Sequence, residues 1–266
     1  MPPVTAGADE VAEAVVRSAS GDKPVLAVLM SAAGTPAALR GGERPVASFP
    51  YPESAARALG RAVERAEWLR RPAGIVPELD AIDRTAAEAV VAEVGQGWLD
   101  PAQTRALLCA YGLPLVPECL ASSADDAVAA AQELGFPVVV KSAAAGAHKT
   151  ESGGIALDLR GEAEVREAAE RIGFPVLVQP MVRGGAELLA GLVQDPVFGP
   201  LVAFGPGGVL AELIGEASFR IAPLTDADAR ELVHDGKAGR LVRGFRSAPA
   251  DAAALVDLVL RLSRLA

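Results

Sequence analysis

Reactive side chains are scarce in this chain of 266 residues, which holds two cysteines, two histidines and 4% aromatics. Cys109 and Cys119 are too few for a disulfide framework or a zinc site, which leaves two reduced thiols. Positive charge is also short. The formal net charge is -9, opposite to the basic footprint that non-specific nucleic-acid binding needs. No apolar run approaches the ~20 residues of a membrane-spanning helix. The opening "MPPVTAGADEVAEAVV" lacks the basic start and apolar stretch of a secretory signal. The expectation is a cytoplasmic protein with no nucleic-acid and no membrane partner. Lysine is scarcer than its partner cation, with four against 21 arginines. Two of the four, Lys141 and Lys149, share the stretch "GFPVVVKSAAAGAHKTESGG" with one of the two histidines, His148.

Hydrophobic patterning predicts an α/β protein. Residues 10–20 read as a helix, "KPVLAVLM" (23–30) as a buried parallel-type strand, and "PVASFPYP" (45–52) as a second short strand. "ESAARALGRAVERAEWLRR" (53–71) has apolar residues at helical spacing and ends at Pro72. Strand, strand and helix in this order suit the closing part of a doubly wound domain, assigned here to residues 1–75. A linker and an Ala/Glu helix follow at 76–95, and a second domain at 96–266. That domain opens with an Asp100 cap and Pro101 at the first helical position, stopped by Gly112. Strands are predicted near 114–118 and at 137–141, 152–160 and 173–180, with two more in 186–208 joined by "QDPVFG". Helices are predicted at 123–134, 162–172, 225–234 and 250–265. "GFPVVVK" (135–141) returns as "GFPVLVQP" (173–180), each after an acidic helix, so the domain contains two similar helix-to-strand units.

Chemistry concentrates at three places. Lys141 ends an apolar strand, where a compact ammonium suits phosphate oxygens; the plain alternative is a lysine pointing into water. "LVQPMVRGGAEL" brings Gln179 and Met181 to a Pro/Met corner where a flat adenine can sit, and Glu187 to where ribose hydroxyls can donate. In "AFGPGGVLAELIGEASFRIAPL", Gly205, Gly207 and Gly208 form a loop whose N–H groups can approach an anion, followed by Glu212, Glu216 and Arg220. No Gly-Lys-Ser/Thr follows, so this is not a Walker A loop. Taken alone, the glycines fit a plain turn, and Glu212 with Arg220 a surface ion pair. His234 sits at a predicted helix end and reads as structural or solvated.

The ordered set "GFPVVVK…HKTESGG…LVQPMVRGGAEL…QDPVFGPLVAFGPGGVLAEL…ASFRIAPLT" resembles the ATP-grasp domain of ADP-forming acyl-CoA synthetases, such as acetate–CoA ligase (ADP-forming), over residues 96–266. The first domain is similar to the end of the succinyl-CoA-synthetase-like, flavodoxin-type domain that precedes it in fused members. The resemblance implies an α+β ATP-grasp fold and interconversion of acyl-CoA, ADP and phosphate with acid, CoA and ATP through a phosphohistidine. It implies Lys141 and Arg220 on phosphates, Gln179, Met181 and Glu187 on the nucleoside, Gly207, Gly208 and Glu212 in the glycine-loop region, and His148 as phosphoryl relay. The implied cofactors are ATP/ADP and Mg²⁺. The family's magnesium-binding "E-x-D-I-N-P-L" strand falls beyond Ala266, so the ATP-grasp domain is expected to be truncated. The family's main phosphohistidine lies in an earlier domain, so the implied partners are CoA-binding and phosphohistidine-bearing domains or a subunit, with a small acyl-CoA as substrate. Little or no turnover is expected of this chain alone. Pro180 stands where the family has Glu, removing an N–H and stiffening the hinge. The alternative reading is a non-catalytic regulatory ATP-grasp module, as in protein lysine acetyltransferase fusions.

Overall fold

A computed structural model of the chain describes residues 7–19, 21–30, 34–41, 45–95, 97–144, 153–208, 215–245 and 248–266. The chain divides into two units, Met1–Pro72 and Ala73–Ala266.

The first unit runs through helix α1 (Ala8–Ser18), strand β1 (Leu26–Val28), a 3-10 turn (Ala37–Leu39), strand β2 (Ala47–Phe49) and helix α2 (Pro52–Arg70). β1 and β2 pair in parallel, Leu26 opposite Ala47. A small core forms from Ala12, Ala27, Leu29, Leu39 and Val46. Pro52 occupies the start of α2, where an N–H would lack an intrahelical acceptor anyway. Only Ala55 of that helix is buried, and Leu59, Val63 and Leu69 of its apolar stripe are exposed.

The second unit contains α3 (Arg84–Val94), α4 (Pro101–Ala110), β3 (Cys119–Ala121), α5 (Ala124–Leu134), β4 (Val138–Ser142), β5 (Ile155–Leu159), α6 (Glu162–Ile172) and β6 (Val176–Pro180). It continues with β7 (Leu188–Asp195), β8 (Gly199–Pro206), β9 (Ser218–Ile221), α7 (Asp226–His234), α8 (Gly236–Val242) and α9 (Ala252–Leu265). Two antiparallel sheets result, ordered β3-β6-β4-β5 and β7-β8-β9. In the first, Val138, Val140, Val176 and Val178 pack against Ala127, Ala131, Val165 and Ala169 of α5 and α6. Each fully buried valine contributes about 1.5–3 kcal/mol. In the second, Val202 and Phe204 of β8 pack with Leu232 and Val233 of α7, Val242 of α8 and Val259 of α9. Mixed helix and strand content agrees with the α/β fold class read from the sequence.

The predicted strand near 114–118 does not form there; pairing begins at Cys119. Pro114 and Pro117 cannot donate to a ladder, so the segment stays irregular until both are passed. The sequence echo is structural. α5 and α6 each end in a glycine of positive φ (82° at Gly135, 85° at Gly173), followed by a cis Phe–Pro bond. β4 and β6 then pair as neighbours, Val140 opposite Val178. Asp100 caps α4 in a capping box with Gln103. The β7–β8 turn is closed by Asp195, whose carboxylate accepts from the N–H groups of Val197 and Phe198, both at 2.8 Å. Those two bonds hold its pKa below the ordinary carboxylate value.

A strap ahead of α3 fastens onto the C-terminal helices. Ile75 N–H donates to Asp226 Oδ1 at 2.9 Å and Asp226 N–H donates back to Ile75 O at 2.8 Å. Arg264 donates to Pro77 O at 3.0 Å. Arg261 donates to Asp80 O at 3.2 Å and to Tyr111 O at 3.1 Å, joining the strap, the end of α4 and α9.

Candidate functional site

Side chains alternate across a strand, so the valines that face α5 and α6 send their neighbours to the opposite side of the sheet. Register aligns those neighbours in rows. Leu120, Leu177, Lys141 and Ile155 lie opposite one another across β3, β6, β4 and β5, and Gln179 lies opposite Val139. Above them is a cavity of about 310 Å³, walled by Thr104, Arg105 and Leu108 of α4, by Leu115, Val116 and Glu118 ahead of β3, and by Lys141, Leu177 and Gln179. Its size falls at the lower end of small-molecule sites, about 300–1,000 Å³. Its chemistry is also of that kind: an apolar lining with two cations, Arg105 and Lys141, and a few convergent polar groups.

Of the polar groups, Gln179 Nε2 donates to Glu118 Oε2 at 2.6 Å. Arg105 Nη1 lies 3.6 Å from Glu118 Oε1 and donates to Val116 O at 3.0 Å. Neither Arg105 nor Glu118 stood out in the sequence. The available signal was register: Cys119 pairs Val178, so the residue before it meets Gln179.

The other candidates fall at separate places. Met181 continues the pairing of β6 one step, its N–H donating to Pro137 O at 2.9 Å. It lines a shallow depression with Phe136, Pro137, Arg160 and Arg183. There Asp158, paired with Arg160 and Arg183, has its pKa lowered, chiefly by the bond from Arg160. Glu187 meets the glycine loop: its carbonyl accepts from Gly207 N–H at 2.8 Å. Gly207 lies so close to Leu188 that a Cβ there would be 2.8 Å from backbone, and a Cβ on Gly208 would strike the Glu187 carboxylate. Gly207 is therefore needed for the close approach of loop and strand, whereas at Gly208 the carboxylate can swing aside and it is the positive φ of 57° that favours glycine. Arg220 on β9 lies 3.4 Å from Asp235 Oδ2 and 3.7 Å from Glu231 Oε2. Glu216 pairs with Lys237 at 2.8 Å, and that bond lowers its pKa. His234 is exposed at the end of α7, its carbonyl accepting from Arg243 at 3.0 Å. His148 and Glu212 lie outside the described residues. Lys141 and Gln179 thus share one cavity, while Glu187, Gly207 and Gly208 form a second group. Among the described residues, no group of three or more His, Cys, Asp or Glu side chains is placed to hold a metal ion. Nor is any helix among them long and apolar enough to cross a membrane.

Two helix-backed antiparallel sheets, one presenting a lysine from its open side and the other a glycine loop, define an α+β domain with a candidate ligand site. A family model described as an ATP-grasp domain matches residues 90–266. Acetate–CoA ligase (ADP-forming) I of Archaeoglobus fulgidus is 36% identical over 201 residues, covering 70% of this chain and 29% of that protein. The beta subunit of acetate–CoA ligase (ADP-forming) II of Pyrococcus furiosus is 34% identical over 177 residues, covering 61% of this chain and 75% of that subunit. A solved structure of the dinucleotide forming acetyl-coenzyme A synthetase 1 of Ca. Korarchaeum cryptofilum superposes with a TM-score of 0.57 at 38% identity, covering 68% of this chain and 84% of that one. It holds coenzyme A and Mg-AMPPCP, with its phosphohistidine segment pointing towards the nucleotide binding site. The chain belongs to the ATP-grasp domain family, in the branch found in ADP-forming acyl-CoA synthetases. It spans 29% of the length of the Archaeoglobus ligase.

Proposed function

We propose that the chain supplies the nucleotide-binding portion of an ADP-forming acyl-CoA synthetase, working with CoA-binding and phosphohistidine-bearing domains or a subunit. The observation that carries this reading is Lys141 beside Gln179 in one cavity, on the sheet face turned away from α5 and α6. In it, Lys141 neutralises nucleotide phosphate as a point charge, and Gln179 holds the base. Met181 and Glu187 flank the nucleoside, and the Gly208 N–H meets anionic oxygen, the Gly207 N–H being held by Glu187 O. Arg220 joins the phosphate site by exchanging its carboxylate partners for phosphate. His148 is the relay: a phosphate oxygen of ADP attacks phosphorus on its ring nitrogen, the P–N bond breaks, a P–O bond forms, and the imidazole leaves neutral. No step is assigned to magnesium, because the described residues offer no cluster to hold it.

The relatives are a ligase, a ligase subunit and a synthetase, and they lend no support to a regulatory module of an acetyltransferase. The test is ADP binding by calorimetry. Lys141→Ala is expected to weaken ADP about tenfold or more, a charge-assisted hydrogen bond being worth about 1.5–3 kcal/mol. Unchanged affinity in that variant removes the phosphate assignment.

A further inference from the structure

We propose that Glu118 is a positioning residue that makes the site selective for a 6-aminopurine, by fixing which end of the Gln179 amide faces the base. The inference rests on the nucleotide reading above and adds the origin of base choice. Register places the two side chains together. Cys119 pairs with Val178 and Leu120 with Leu177, so Glu118 stands opposite Gln179, which in turn stands opposite Val139. The contact is 2.6 Å from Gln179 Nε2 to Glu118 Oε2.

Chemistry fixes its direction. An ionised carboxylate only accepts hydrogen bonds, whereas an amide has a donating end and an accepting end. The nitrogen must therefore face Glu118, since the flipped amide would set two acceptors against each other. Glu118 cannot readily swing away. Its side chain is 16% exposed and lies 3.6 Å from Arg105, which also binds Val116 O on the same segment at 3.0 Å. With one N–H of Gln179 committed to Glu118, the carbonyl is the end of the amide turned away from it. Adenine presents a donating amino group at C6, and hypoxanthine and guanine present an accepting carbonyl there. A fixed amide carbonyl bonds the first and repels the second. A hydrogen-bonding site discriminates by leaving the wrong partner unsatisfied.

ADP and inosine diphosphate isolate this contact, because they differ only in the chemistry at C6 and the adjoining N1. Titration of the full 266-residue chain by calorimetry is expected to give ADP at least about tenfold tighter than inosine diphosphate, the worth of one hydrogen bond. Glu118→Gln keeps the shape but can offer either amide end, so Gln179 is free to turn. The ratio is then expected to fall to about threefold or less. Inorganic pyrophosphate, which has no base, is expected to bind both proteins alike. Gln179→Leu removes the carbonyl itself and should abolish the preference, which keeps the test decisive if Glu118→Gln does not fold. An unchanged ratio in either variant, or equal loss for both nucleotides in Glu118→Gln, overturns the proposal. Wild-type protein that binds both nucleotides without preference also overturns it while leaving the nucleotide site standing. Wild-type protein that binds neither overturns the nucleotide reading as well.

Discussion

Replacing Gly207 with alanine should damage the junction between β7 and β8 far more than the same change within β7. At Gly207 an added Cβ would lie 2.8 Å from the carbonyl carbon of Leu188 and 2.9 Å from its nitrogen and oxygen. Ordinary carbon contacts lie at about 3.5–4.0 Å, so one chain must retreat by roughly 0.6 Å or more. The obstructing atoms are backbone, so no rotamer change relieves them. The retreat also strains the 2.8 Å bond from Gly207 N–H to Glu187 O. Overpacking costs about 1–3 kcal/mol, and a lost hydrogen bond about 0.5–1.5 kcal/mol. A total of about 2–4 kcal/mol corresponds to roughly 5–15 °C for a domain of this size. Gly191→Ala is the control. It lies in β7, meets nothing within 4 Å of an added Cβ, and should be neutral or stabilising by up to about 1 kcal/mol. Thermal unfolding by circular dichroism separates the two. If Gly207→Ala melts with wild type and Gly191→Ala, the close approach does not constrain the junction and the argument fails.

Two further tests address the scaffold. Ser263, buried at 4% exposure, accepts from Leu224 N–H through Oγ at 2.6 Å. Ser263→Ala leaves that donor orphaned and should lower stability by about 1–3 kcal/mol in urea titration; an unshifted midpoint would mean the N–H finds another acceptor. Asp226 has its pKa lowered below 3.8, chiefly by the Ile75 N–H bond and next by Arg230. Its contribution is therefore complete above 3.8 and is lost as pH falls through the lower, folded value. Asp226→Asn can still accept from Ile75 but does not titrate, so its stability should fall less steeply below about pH 4; parallel acid limbs would count against the linkage.

Periodicity made most elements legible, and Asp100 announced the helix whose first turn it caps; Ser123 and Thr225 cap α5 and α7 in the same way. Misses have local causes. Proline at 114 and 117 interrupted an apolar run that looked like a strand. Strand β9 is only four residues long, and its alternation runs apolar-out, with Phe219 and Ile221 exposed. Helix α8 contains Gly236 and Gly239, residues of low helix propensity. Gly239 is required because a Cβ there would fall 2.0 Å from His234 O. At the site, Lys141 and Gln179 were visible because each is the penultimate residue of one of the two echoed strands. Glu118 was not, because its meaning arises from a partner 61 residues away that only strand pairing delivers.

The strap ahead of α3 bears on where this fold can be cut. The matched family segment begins at residue 90, yet the contact-defined unit begins at Ala73. A gene trimmed to residue 90 would remove the acceptors at Pro77 and Asp80 and the donor at Ile75. Arg264 and Asp226 would then lose the backbone they now hold, and Arg261 would keep only Tyr111 O of its two carbonyls. A version of the unit that starts at residue 73 should therefore be more stable than one that starts at residue 90, and the latter should be the one that precipitates on expression.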